Sequence, residues 1–363
     1  MEDAERVGVR HLRVLARRPR PAGGAAEQEA RVYAASVLEA LGFDVREERF
    51  AYSAFPGRYA TPIAGALLCT TIVAASVLAL GSNTGGAASV LVAGVASTAV
   101  FARWMLADAV LNAPWMRSTG VNLAATRGLA EPTVWLVAHL DSKSQPVSSV
   151  ARMAGVVMLA VALVLASMAA ALTLVGVSSR TLWWGALAAG VLGALPVMAS
   201  VVGSRSDGAV DNASGVAAVL AAAERVRRDV PCGVLLPSAE ELGLAGARAW
   251  VRTRAASIAL NCDGVDDDGE LVIMYNGHMP SDVVNAVRTS SRGGVAVRRM
   301  PLGLLTDSTA FAAGGWRAVT VSYGSLTTLR RVHTPNDSLA ALRGASIDEV
   351  ADILARAAEA LAR

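Results

Sequence analysis

Charge is scarce in this chain. Asp, Glu, Lys and Arg make up only 17% of its 363 residues, against about 25% in an ordinary water-soluble domain. Aromatics are scarcer still at 5%, so the 53% hydrophobic content rests on small and aliphatic side chains. Neither charge sign dominates: 33 basic and 30 acidic residues leave a net charge of +3. That is too small an imbalance to suggest a nucleic-acid partner, which usually calls for a clustered basic face. Cysteine is limited to Cys69, Cys232 and Cys262. An odd, sparse set excludes a disulfide framework, and all three are read as small buried hydrophobes. The one basic cluster is Arg6, Arg10, Arg13, Arg17, Arg18 and Arg20. It is expected to be the solvated face of an N-terminal helix, also bearing His11, with contact to anionic lipid headgroups as the alternative. The first residues are polar and charged, so no cleavable signal peptide is expected.

The missing charge is missing from particular places. Residues 62–81 carry none and are long enough to cross a bilayer, which takes about 20 residues. A polar SNTGG turn follows, and 86–102 is again uncharged, with apolar character continuing to about Leu111. A second pair covers 153–177 and 181–204 around a short SSR turn, with Trp183 and Trp184 at an interfacial position and Pro196 expected to kink the fourth helix. Two transmembrane hairpins would return the chain to the side it left. Residues 1–61, 112–150 and 205–363 then share one compartment, with 62–111 and 151–204 as the hairpins. Arg58, Arg103, Arg117, Lys143, Arg152 and Arg205 flank that side, and Arg180 alone the other, so the hydrophilic part is expected in the cytoplasm. The span centres hold no ionisable group, which argues against a transport pathway.

The hydrophilic pieces read as alternating strands and helices. Strands are expected at 133–140, 232–237, 257–263 and 317–323, and helices at 213–228, 243–254 and 346–362. Such alternation predicts an α/β sandwich on a mostly parallel sheet, with the active site at the carboxyl ends of the strands. Those ends carry His139 and Asp141, Asp211, Glu240 and Glu241, Asp263 and His333. Two histidines and several carboxylates, each just past a strand, suit a metal site. Strand alternation puts His139 and Asp141 on one side, so a carboxylate can hold the imidazole while its other nitrogen binds metal. Singly these motifs are weak: an EE pair is usually surface, and DNASG can be no more than a helix cap. Their order and placement together carry the reading.

HLDS, GAVDNASGVA, AEELGLAGA, LNCD and HTPND, in that order, resemble the co-catalytic zinc aminopeptidases, peptidase family M28. The likeness covers roughly residues 1–60, 118–145 and 205–363. It implies a zinc-aminopeptidase-like three-layer sandwich holding two zinc ions. Asp211 would bridge them, with His139 and Asp263 completing one site and Glu241 and His333 the other. Glu240 would be the general base and Asp141 would orient His139. The implied substrate is a peptide with a free amino terminus, drawn from a bilayer-associated pool because the hairpins interrupt the catalytic part itself. A non-catalytic receptor-like relative, and a hydrolase or cyclase acting on a non-peptide amide, are the alternatives. Three departures stand out. A whole hairpin separates Asp141 from Asp211. Thr306-Asp307-Ser308 stands where many members have Ser-Asp-His before a Phe (here Phe311). LNCDGVDDDG is unusually acidic, with Asp266, Asp267 and Asp268 read as a solvated turn. His278 is read as a loop histidine.

Overall fold

The computed structural model describes residues 6–128, 130–177, 179–301 and 303–362. The signal-peptide reading rests largely on residues 1–5, and the SSR turn includes Ser178; these positions lie outside the described residues. The chain divides into two compact units: Met1–Ala54, Pro114–Ser144 and Gly203–Arg363 form one, and Phe55–Ala113 with Gln145–Val202 the other.

The first unit is built on an eight-stranded sheet in the order β1-β2-β4-β3-β5-β8-β6-β7. The strands are β1 Asp44–Ser53, β2 Arg117–Thr126, β3 Val134–Val137, β4 Cys232–Leu236, β5 Ile258–Val265, β6 Glu270–Tyr275, β7 Val295–Arg299 and β8 Arg317–Gly324. Four pairings are parallel, three of them joining the central β4, β3, β5 and β8. Antiparallel pairings add β2 and β1 on one side and β6 on the other. The sheet is therefore mixed and mostly parallel. The central strands are buried on both faces, which is why they appear in the sequence as unbroken apolar runs. Along them, alternate side chains go to opposite faces. Leu136, Val234, Leu260 and Val319 join the core under helices Gly215–Arg225 and Ile347–Leu361. Trp135, Val137, Leu235 and Ala259 meet Trp250, Phe311 and Trp316 on the other face. There the rings of Trp135 and Trp250 pack edge-on, 5.0 Å apart.

The second unit holds four helices, Ala54–Leu80, Thr84–Ala107, Ser149–Leu174 and Arg180–Met198, each long and apolar enough to cross a membrane by length and composition. The first starts eight residues ahead of the expected 62, and Pro196 falls in the final turn of the fourth rather than kinking its middle. Between the last two, a Cβ on Gly155 would lie 2.6 Å from the Gly193 carbonyl, so glycine permits the close approach. Val92, Val100, Val157, Val164, Leu192 and Leu195 are exposed on these helices.

Both departures from the first unit occur where its own backbone is hydrogen-bonded. Ser53 and Arg117 are paired across β1 and β2, and just beyond them Ala54 N–H donates to the Met116 carbonyl at 3.0 Å. Ser144 and Gly203 exchange N–H to carbonyl bonds of 3.0 and 2.7 Å.

Three expectations are corrected. Arg6, Arg10, Arg13, Arg17 and Arg18 are exposed, but Arg20 is 2% exposed. His11 is buried rather than exposed: its Nδ1 lies 2.7 Å from the Tyr33 hydroxyl, and burial holds its pKa down at about 4. The acidic run is not a solvated turn. Asp266 is buried and bonded to Thr328 and Arg331, and Asp267 accepts the N–H groups of Arg343 and Ala345, leaving Asp268 exposed. Cys232 and Cys262 are buried and Cys69 is half-buried.

One buried side chain ties the sheet to the turn that follows β4. Asn122 donates to the Gly246 carbonyl at 2.9 Å and accepts from Ser238 N–H at 3.1 Å. Asn122→Ala strands both buried partners. It is expected to lower unfolding free energy by about 2 kcal/mol or more, measured as a shift in the denaturation midpoint.

Candidate metal centre

The carboxyl ends of the parallel strands converge on one cluster. His139 lies two residues past the end of β3, beyond the strand rather than in it. Glu240 and Glu241 occupy the turn Glu240–Leu242 after β4, and Asp263 sits within β5 where its register shifts between Cys262 and Val265. His333 follows β8 at the end of a short helix, Leu326–Arg331. Asp211 belongs to the irregular segment Ala209–Ser214.

Local hydrogen bonds explain why these backbones take the shapes they do. Asp337, from the HTPND motif, accepts Val210 N–H at 2.7 Å and Asp211 N–H at 3.2 Å. Asn212 donates to the Cys262 carbonyl and accepts from Gly215 and Gly264. Asp141 does more than the sequence suggested. Its two carboxylate oxygens accept the N–H groups of Glu240 at 3.0 Å and Glu241 at 3.2 Å. His139 Nδ1 is 3.0 Å from the Asp141 main-chain oxygen and 3.6 Å from its carboxylate. Asp141 therefore steadies the imidazole chiefly through its backbone and the glutamate turn through its side chain. Ala239, Leu244 and His333 all have left-handed φ angles, of 58, 61 and 66°. Non-glycine residues hold this conformation at a cost of about 1–3 kcal/mol each, and such residues gather at functional sites.

The side chains then face one another. His139 Nε2 is 3.1 Å from Asp211 Oδ1, and His333 Nε2 is 2.7 Å from Asp211 Oδ2, so the two oxygens of one carboxylate serve two histidines. Glu240 and Asp263 each come within 3.9 Å of His139 Nε2, and Glu241 within 3.5 Å of His333 Nε2. Two groups result, His139 with Glu240 and Asp263, and Asp211 with Glu241 and His333, each able to hold a metal ion. Lys143 forms an ion pair with Glu241 Oε2. The donor set fits a divalent metal such as zinc. His139 Nε2 and Glu241 Oε1 are buried without a hydrogen-bond partner among the described residues, an arrangement that costs free energy unless a cation takes the lone pairs. Burial acts to lower the pKa of His139, but Glu240, Asp141, Asp211 and Asp263 outweigh it and hold the imidazole well above its ordinary value. Burial also pushes the Glu240 carboxyl well above the usual range. His278 is exposed in its loop.

Sequence reasoning passed over two residues. Asp307 was noticed only for the histidine missing beside it, yet it is fully buried and neither oxygen has a hydrogen-bond partner among the described residues. Lys143 counted only as a flanking charge; its place after HLDS was the available signal. Burial, reinforced by Asp263, Asp141 and Glu241 and partly offset by His139, pushes Asp307 up to about 8. The folded protein thus keeps a proton that the unfolded chain has released well below neutrality. Stability of the metal-free protein is then lost as pH rises through about 8. His11 acts oppositely, but only below about 6.5, where the unfolded imidazole charges. The thermal midpoint in chelator is therefore expected to fall from pH 7 to pH 9, and Asp307→Asn to flatten that slope.

Comparison with known proteins agrees with this geometry. No curated protein matches the chain. Among solved structures, an aminopeptidase from Aneurinibacillus sp. strain AM-1 is 16% identical, with a TM-score of 0.55 over 98% of this chain and 93% of that one. The zinc aminopeptidase BSAP from Bacillus subtilis is 15% identical, with a TM-score of 0.55 over 97% and 93%. A glutaminyl cyclase from Porphyromonas gingivalis is 13% identical, with a TM-score of 0.55 over 97% and 96%. At these identities the likeness shows the fold. The description Peptidase family M28 matches residues 122–358, a span holding every residue of the two metal groups. The chain belongs to peptidase family M28.

Proposed function

We propose that the protein is a membrane-anchored two-zinc metallopeptidase, acting as an aminopeptidase on peptides with a free amino terminus. The observation that carries this reading is Asp211, whose two carboxylate oxygens lie against His139 and His333 with Glu240 beside them. His139, Asp263 and Asp211 would hold one zinc, and Glu241, His333 and Asp211 the other. When bound, a zinc pair lowers the pKa of a water and polarises the scissile carbonyl. Glu240 is the base: it takes the water's proton and delivers it to the leaving amine. Asp141 fixes Glu240 and Glu241 by their N–H groups and His139 by its ring.

The test is metal content and hydrolysis on detergent-purified protein, wild type beside Glu240→Gln. The variant should retain about two zinc ions while activity falls by roughly 10² or more. A wild type without metal overturns the site. Zinc-loaded protein that cyclises amino-terminal glutamine but hydrolyses no peptide would place the activity with the cyclases. Zinc without either activity would favour a binding role.

Four apolar helices with outward valines and leucines support anchoring in a bilayer. The excess of Arg and Lys beside the helix ends nearer the hydrophilic segments supports a cytoplasmic catalytic unit. The protein should stay in the membrane pellet after alkaline carbonate washing; release into the supernatant would refute the anchor.

A further inference from the structure

Among the described residues Arg20 is the most completely buried arginine or lysine, and the proposed reaction uses none of its atoms. Its guanidinium donates from every nitrogen. Nε bonds the Leu140 carbonyl at 2.9 Å, Nη1 the carbonyls of Leu15 at 2.6 Å and Asp207 at 2.7 Å, and Nη2 that of Gly208 at 3.0 Å. All are neutral main-chain acceptors, so this is not an ion pair. The backbone of Arg20 is tied to the same place. Its N–H donates to Ser142 Oγ at 2.9 Å, its carbonyl accepts Ser142 N–H at 2.9 Å, and Ser142 Oγ donates to the Ser206 carbonyl at 3.1 Å.

The positions of these acceptors matter. Leu140 stands between His139 and Asp141. Gly208 stands three residues before Asp211, with a φ of +59° and no room for a Cβ beside the Asp211 carbonyl. The two loops carry metal-group ligands, yet in the chain they are separated by the whole apolar segment Gln145–Val202. Neither loop can set the other's position through the short covalent path that a direct connection would provide. Burial disfavours the guanidinium charge, and Asp337, Asp141 and Asp211 offset that cost in part. A buried arginine held against desolvation, with its fork spread over two ligand loops, is an expensive feature to keep for packing alone.

We infer that Arg20 is a positioning residue that sets the spacing of His139 and Asp211 across the inserted hairpin. It acts through the Leu140 and Gly208 carbonyls and touches neither metal nor substrate. Lysine can keep the charge but cannot span four acceptors in fixed directions.

This rests on the two-metal reading, and the test separates them. Full-length protein in detergent is titrated with Co²⁺ and followed by its visible spectrum, then with zinc by competition, for wild type, Arg20→Lys and Ser142→Ala. Arg20→Lys should bind metal roughly 10–100-fold more weakly, with an altered cobalt spectrum and a fall in kcat that exceeds any change in KM. Ser142→Ala should move in the same direction by less. A merely structural role would lower the metal-free melting temperature and leave the spectrum and affinity of folded protein as in wild type, which would overturn the inference. If Arg20→Lys does not fold, Ser142→Ala decides, and unchanged affinity there overturns it. A wild type with no cobalt spectrum overturns the metal reading and this inference together; a normal wild type with an indistinguishable Arg20→Lys overturns this inference alone.

Discussion

Mutual repulsion among buried carboxylates is the constraint that the rest of the first unit answers. Asp141, Asp211, Glu240, Glu241, Asp263 and Asp307 are brought close with two histidines, nearly all of them buried. Packing anions together in a poorly solvated site is costly unless cations or protons balance them. The balance is visible in the directions of the pKa shifts: the surrounding carboxylates push the His139 imidazole above its ordinary value, and burial pushes the Glu240 and Asp307 carboxyls up. Two divalent ions, one at each three-residue group of donors, would supply the balancing positive charge. The left-handed residues and the N–H groups given over to Asp141 and Asp337 aim those donors in advance.

Parallel strands make such convergence possible. β4, β3, β5 and β8 run side by side, so the segments leaving their carboxyl ends begin within a few strand widths of one another. Antiparallel strands flank this group and contribute no ligand. They instead cover its edges, and Asn122 of β2 braces the turn holding the glutamates.

Much of this was legible in the sequence because burial on both faces writes a parallel strand as a short apolar run. The runs before His139, Glu240 and Asp263 mark their own ends, and acids or histidines just beyond them are conspicuous. The outer strands were not legible: β1, DVREERFAYS, has half its residues exposed and reads as a charged segment. Arg20 was misread for a different reason. Nothing in RRPRP distinguishes the last arginine from its solvated neighbours, since three of the four carbonyls that its guanidinium bonds lie more than a hundred residues downstream. The same holds for Asp266 and Asp267, whose partners come from the segment after β8. Local pattern reports a residue's own element; it carries no record of distant backbone that folds over it.

The pairing of β1 with β2 also bears on the order in which the molecule is made. Ser53 and Arg117 close an antiparallel pair that a two-residue turn could have joined, yet an entire apolar hairpin lies between them. Each doubling of a flexible loop adds about 0.6 kcal/mol to the entropy of closing it, and this lengthening is several doublings. The inserted segment is not flexible once formed. Two helices of 27 and 24 residues joined by a short turn bring their outer ends together, so a hairpin that forms first delivers the two strands already adjacent. In that order the outer edge of the sheet would close at little further entropic cost.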